Sequence, residues 1–386
     1  MGDYVPIDLE AVPEAFAAST DGTIGIEEEF QILDPDTLDL APRFEELRDA
    51  AESDRPLAES LAGELISSEI EIRSGRGETF ADAIARQRDA RTRLFGLVAA
   101  RGAALGSTGT HPWADYREQP NIDTEHYRGV VEGLQCVARR NNTFSLHVHV
   151  GIRDIDRAVR VCDRLRGVLP QLLAISASSP YLDGLDSGLH SARTQAFTKS
   201  FPRCGIPDAY GSWAGYRDYL DLLIRTNSIR EYTQVWWSVR PHFAFGTVEV
   251  RICDAQTTTA ESEGLAALIA GCVLQAARDL DEGVPAVDRP RRLLEENLWR
   301  AIRFGLDGRM IDFDARAEYP AAAGLERLVA WTEPVRAEHG LDVALPERNS
   351  AQRQRALIAE GAPMREVFAG TVRETRDTYA AGVTAS

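Results

Sequence analysis

Thr23-Ile24-Gly25-Ile26-Glu27-Glu28-Glu29-Phe30-Gln31-Ile32 decides how the chain folds. Ile24, Ile26, Phe30 and Ile32 recur at even spacing, which marks one apolar face of a β-strand. Three consecutive glutamates interrupt that pattern. Successive strand side chains point to opposite faces, so Glu27 and Glu29 share the polar face and Glu28 falls on the apolar side. Two carboxylates held side by side repel unless a cation or protons lie between them. An edge strand with one solvated face would explain this segment by itself. The rest of the chain weighs against that reading.

Working outward, the same design recurs. Glu64 to Arg73 alternates like a strand, with Glu69 and Glu71 on one face. Asn141 to Gly151 places His147 and His149 opposite Leu146, Val148 and Val150. Thr247 to Asp254 places Glu249 and Arg251 opposite Val248, Val250 and Ile252. Val235 to Arg240 is a further strand. Several such strands imply a sheet with one face against a helical core and the other lining an acidic trough. Carboxylates with one or two histidines and no thiolate suit hard divalent cations such as Mg²⁺ or Mn²⁺. An arginine beside them fits a site that also neutralises phosphate. Each pair has a plainer explanation when taken singly. H-x-H can be polar packing, and Glu249 with Arg251 can be a cross-strand ion pair.

Between the strands, helices are predicted over 44–52, 78–101, 124–140, 154–178 with a break near Pro170, and 213–226. Beyond Thr259 the chain reads as nearly all helical, and Gly264 to Ala277 as a buried helix too short to span a bilayer. Residues 180–211 hold no long periodic run, and a stretch of that kind reads as an active-site loop. Strands and helices mix without strict alternation. The class is therefore α+β, a mostly antiparallel sheet backed by helices. Residues 1–20 read as an N-terminal leader. Residues 21–386 read as a single catalytic domain, with a helical C-terminal part over about 288–386.

Bulk properties narrow the function. The chain has 386 residues and 44% apolar content, ample for a large core. A net charge of −17 argues against nucleic acid and against anionic membranes. Lys199 is the only lysine and follows no glycine run, which excludes a Walker A loop and a kinase lysine. The five cysteines are scattered without a C-x-x-C pair, which fits a reducing cytoplasm. No G-x-S-x-G is present. His111 after Thr110 reads as a turn cap, and Trp236-Trp237 reads as core.

Four motifs in order, Gly25-Ile26-Glu27-Glu28-Glu29-Phe30, Thr110-His111-Pro112, His147-Val148-His149-Val150-Gly151 and Gly246-Thr247-Val248-Glu249-Val250-Arg251, resemble the type 2 glutamate–cysteine ligases, or carboxylate–amine ligases, distant relatives of glutamine synthetase. Ser178-Ser179-Pro180-Tyr181, Ser191-Ala192-Arg193 and Arg303 to Gly308 strengthen the resemblance, which runs from about residue 22 to the helical C-terminus. It implies a curved antiparallel sheet forming a half-open barrel with helices behind. It also implies a reaction in which ATP phosphorylates a carboxylate and an amine attacks the acyl phosphate, typically joining the γ-carboxylate of glutamate to cysteine or another amine. One cation site would comprise Glu29, Glu64 and Glu71. A second would comprise Glu27, His147 and Glu249. Arg251 would stabilise the transferring phosphoryl group. Arg240 and Arg193 would contact nucleotide or substrate carboxylate, and His149 would face the nucleotide.

Glu64 and Glu71 are an odd number of residues apart. Either the chain bends near Ser67-Ser68, or Glu69 replaces Glu64 as the ligand. The 180–211 stretch is the candidate cover that keeps water from the acyl phosphate. Two other functions fit the same residues, a nucleotide- or metabolite-binding protein without turnover and a metal-dependent hydrolase. Partners are expected to be small molecules, and exposed strand edges leave room for a homo-oligomer.

Overall fold

The computed structural model describes residues 8–380. Alternating apolar and polar positions form the strands β1 (Ile24–Leu33), β2 (Leu61–Ala62), β3 (Glu69–Arg73), β4 (Ala104–Gly106) and β5 (Ser145–Gly151). Short strands β6 (Tyr181–Leu182), β7 (Leu185–Asp186), β8 (Cys204–Gly205) and β9 (Trp236–Trp237) follow, then β10 (Val239–His242) and β11 (Thr247–Asp254). One antiparallel sheet runs β10-β11-β5-β1-β3-β2, with β4 also paired to β1. It stays open, with β10 and β2 at its ends. β1 stops at Asp34, whose Oδ1 accepts from the N–H groups of Asp36 at 3.0 Å and Thr37 at 2.8 Å. Such an Asx turn offers the backbone an alternative to the ladder.

The apolar face of the sheet is the core. Ile24, Ile26, Val148, Val150, Val248 and Val250 bury against Leu265, Leu268, Ile269 and Val273 of the helix Thr259–Asp281. That helix starts in a capping box, with Thr258 and Glu261 bonding each other's backbone N–H. Each fully buried Leu or Ile stabilises the fold by roughly 1.5–3 kcal/mol, an upper figure for an extended reference chain. Phe30, Ile32, Ile70 and Ile72 bury against Leu94, Phe95 and Val98 of the helix Phe80–Ala100.

Glu28 lies on this apolar side. Its carboxylate accepts from Arg91 Nε at 2.8 Å, Arg91 Nη2 at 2.6 Å, Gln87 at 2.8 Å and Ser262 Oγ. Arg91 is fully buried and also reaches Glu263 at 2.6 Å.

Several expectations change. The 64–73 segment is not one strand, because the chain turns at Ser67-Ser68 before β3. The 124–140 helix divides into Glu125–Leu134 and Cys136–Arg139 at Gln135, whose φ is 52°. The expected break near Pro170 is present: the 154–178 helix divides into Ile155–Leu165 and Leu169–Ser176, with Pro170 in the first turn of the second, where its missing N–H costs nothing. The all-helical expectation after Thr259 misses a hairpin of β12 (Arg309–Asp312) and β13 (Ala317–Pro320), closed where Asp312 Oδ1 accepts from Asp314 and Ala315 N–H. Part of the expected leader lies outside the described residues. Its later part forms the helix Val12–Ala17, with Phe16 buried in the core.

Candidate active site

Antiparallel register sets Glu27 of β1 opposite His147 of β5, and Glu249 of β11 opposite His149. Ligand-type atoms of Glu27, His147 and Glu249 converge within 4.8 Å of one another. His147 Nδ1 is 3.0 Å from Glu27 Oε2. His149 Nε2 is 3.3 Å from Glu27 Oε1 and 3.8 Å from Glu249 Oε1. Arg240 Nε donates to Glu249 at 2.7 Å, and Arg251 Nη1 donates to its other oxygen.

Burial opposes the charge on Glu249, but Arg240, Arg251 and His149 outweigh it and hold the carboxyl well below the usual range. Burial likewise opposes Glu27, and His149 and His147 outweigh it. Burial, reinforced by Arg251, lowers His147 and favours the neutral imidazole that a metal needs. His149 is raised, because Glu27 and Glu249 overcome its burial.

A second acidic group adjoins this trio. Glu29 pairs in register with Glu71, and Gln31 with Glu69. Ser145 donates to Glu29 Oε2 from both its backbone N–H and its hydroxyl, the latter at 2.7 Å. The Ser67-Ser68 turn is held by Phe44 N–H on Ser67 O and Ile32 N–H on Ser68 O, each at 2.9 Å. This is the bend that lets Glu64 reach the side of Glu71. Burial and Glu29 push the Glu64 carboxyl up to about 7. Burial and neighbouring carboxylates push Glu69 and Glu71 well above the ordinary range. Glu64 and Glu69 both line the same cavity, so both belong to the acidic floor.

Two cavities flank the row of charges, and they share no lining residue. The smaller, about 210 Å³, is lined by Glu29, Glu64, Glu69, His147, Arg240 and Arg251 on one side and by Phe197, Phe201 and Trp236 on the other. The larger, about 540 Å³, is lined by Thr23 to Glu27, Arg73, Arg76, His149 and Phe245. Phe245 stands 55% exposed and stacks on His242 at 4.4 Å. The core expectation for the tryptophan pair holds for Trp237 and fails for Trp236, which lines the smaller cavity.

Arg193, expected to contact substrate or nucleotide, also lines the smaller cavity, but its Nη groups donate to the Ile252 and Arg251 carbonyls at 3.0 and 3.3 Å. Arg240 donates to the Thr233 and Val235 carbonyls as well as to Glu249. His111 Nδ1 accepts from Trp113 and Ala114 N–H, a turn cap. The sequence pattern does not single out Ser145 or Phe245. Ser145 is two residues before His147 on the same strand face, which was the available signal. Phe245 sits in a hairpin and carries no periodicity.

The sequence model of glutamate–cysteine ligase family 2 matches residues 23–356. This chain belongs to that family. It is therefore a ligase. A Rubrobacter xylanophilus protein carrying the provisional name glutamate–cysteine ligase 2-2 is 38% identical over 94% of both chains. A Solibacter usitatus protein with the provisional name glutamate–cysteine ligase 2 is 37% identical over 92% of this chain and 93% of its own. The fold is similar to that of glutamate–cysteine ligase from Francisella tularensis in complex with AMP, with a TM-score of 0.67, 11% identity, and coverage of 95% of this chain and 91% of that one. A bifunctional glutathione synthetase from Pasteurella multocida matches with a TM-score of 0.64 at 13% identity, over 96% of this chain and 54% of that one. Among the described residues no helix is long and apolar enough to cross a membrane.

Proposed function

We propose that this family member is an ATP-dependent carboxylate–amine ligase, acting in the cytoplasm through an acyl phosphate and joining the γ-carboxylate of glutamate to cysteine or another amine. The observation that carries the reading is the convergence of Glu27, His147 and Glu249 within 4.8 Å, with Arg251 bonded to Glu249 and a second carboxylate group beside them. Carboxylate oxygens with one neutral imidazole fit Mg²⁺ or Mn²⁺. Glu27, His147 and Glu249 would hold one ion. Glu29 and Glu71, with Glu64 or Glu69, would hold the other. Bound cations would neutralise phosphate charge and orient the phosphates. The open sheet would then act as the half-barrel that the family resemblance implies.

The chain's own residues supply the rest. The larger cavity takes the nucleotide, with Phe245 as a face for the base, as the AMP complex of the Francisella protein encourages. The smaller cavity takes the acid and the amine. Arg251, on the wall of the smaller cavity, would spread the charge of the transferring phosphoryl group, a step that consists mostly of positioning and charge neutralisation. The amine then displaces phosphate to give the amide. The cover that excludes water falls to the 180–211 stretch, whose Phe197 and Phe201 line the smaller cavity.

The test is ADP release with Mg²⁺ and glutamate across a panel of amines that includes cysteine. ADP release that depends on the amine is expected. ATP binding without ADP release for any amine would overturn the reading in favour of a binding protein, and hydrolysis without nucleotide would overturn it in favour of a metal-dependent hydrolase.

A further inference from the structure

The ladder between β11 and β5 slips once. Val250 pairs with Val148, but the next partners are Cys253 and Leu146. Three steps on β11 therefore match two on β5, a bulge spanning Arg251 and Ile252. Bulges leave carbonyls out of the ladder and re-aim side chains. Arg193 meets this bulge from the helix Ala192–Ala196. Its Nη1 donates to Ile252 O at 3.0 Å and its Nη2 to Arg251 O at 3.3 Å.

The segment bearing Arg193 is itself tied to the end of β11. Buried Asp254 accepts from Ser178 N–H at 3.0 Å, Ser179 Oγ at 2.6 Å and Ser191 Oγ at 2.9 Å. Ser179 Oγ in turn accepts from Arg193 N–H at 3.2 Å. Arg193 Nη1 lies 3.8 Å from Asp254 Oδ1, so its charge is balanced within the fold. Arg251 leaves the bulge toward Glu249, and its Nη1 is 3.5 Å from His147 Nδ1.

We infer that Arg193 is a positioning residue, and that it acts by locking the bulge that aims Arg251 at the phosphoryl group. This rests on the proposed role of Arg251. A guanidinium suits the task because two N–H groups in a fixed plane hold two successive carbonyls, which a lysine ammonium reaches only one at a time. A substrate contact at Arg193 would instead raise the KM for the acid.

The experiment is steady-state kinetics on Arg193→Met, Arg193→Lys, Arg251→Ala and the Arg193→Met/Arg251→Ala pair. A misaimed group about 1 Å out of place costs on the order of 10²-fold, so Arg193→Met is expected to lose about that factor in kcat. The KM values for MgATP and acid are expected to stay within about two-fold, with Arg193→Lys intermediate. The pair is expected to be no slower than Arg251→Ala alone, because Arg193 acts through Arg251. If Arg193→Met does not fold, Arg193→Lys carries the same comparison in both backgrounds.

A raised KM for the acid with kcat retained would overturn the inference in favour of a substrate contact. Losses that multiply in the pair, or full activity with only a lowered melting temperature, would overturn it as well. Undiminished turnover in Arg251→Ala would instead remove the role on which the inference rests.

Discussion

Replacing Arg91 with methionine isolates the buried charge of Glu28. The substitution removes two charge-assisted hydrogen bonds to Glu28, at 2.8 and 2.6 Å, and one to Glu263 at 2.6 Å. Glu263 loses little, because it is partly exposed and keeps Arg88 at 2.6 Å. Glu28 keeps only Gln87 and Ser262. A carboxylate left in the core without its cation costs about 3–5 kcal/mol. That is a large part of the ~5–15 kcal/mol by which proteins are usually stable. Replacing both partners, as Glu28→Leu/Arg91→Met, leaves no stranded charge and is expected within ~2 kcal/mol of the parent. Urea unfolding followed by circular dichroism reads the difference as a shift in midpoint at constant slope. Arg91→Met within ~1 kcal/mol of the parent would refute the reasoning, and so would a pair as unstable as the sum of its single variants.

Other outcomes follow from the geometry. Glu27→Gln should stay folded and lose on the order of 10²-fold or more in amine-dependent ADP release, with weaker Mn²⁺ binding in an electron paramagnetic resonance titration, read as more of the free-ion signal. His111 is held near 4 by burial, against an unfolded value of 6.5, so the unfolded chain binds the extra proton first. The contribution of His111 is then level above pH ~6.5 and falls as the pH drops toward 4, by about 2 kcal/mol at pH 5, and His111→Gln should remove that part of the loss in urea titrations at pH 7 and 5. Gly151→Ala should lower the melting temperature, because its Cβ would lie 2.2 Å from the Thr20 carbonyl oxygen and the backbone must shift.

Period-2 alternation made β1 and β11 legible nearly residue by residue, because a half-buried sheet writes its two faces directly into sequence. It also placed Glu28 on the apolar side, where its partner proved to be Arg91. Alternation alone did not show the turn at Ser67-Ser68, which is held by distant backbone groups of Ile32 and Phe44; only the odd spacing of Glu64 and Glu71 pointed to a bend there. The same limit hid the bulge at Arg251 and the work of Arg193, which depend on carbonyls far away in the chain. The β12–β13 hairpin escaped because strands of four residues carry too short a pattern to outweigh the helical stretches around them. The pairing of Glu27 with His147 and of Glu249 with His149 needed register, which one sequence does not print.

The two cavities meet the charged row from separate walls. On the proposed reading, a change in Phe197, Phe201 or Trp236 alters the side assigned to the acid and the amine without touching the wall of Ile24, His149 and Phe245. Such a layout lets a lineage trade one amine for another in single steps while nucleotide use is inherited unchanged. Divergence among relatives that differ in acceptor should therefore gather around the aromatic wall, and the larger cavity should drift slowly.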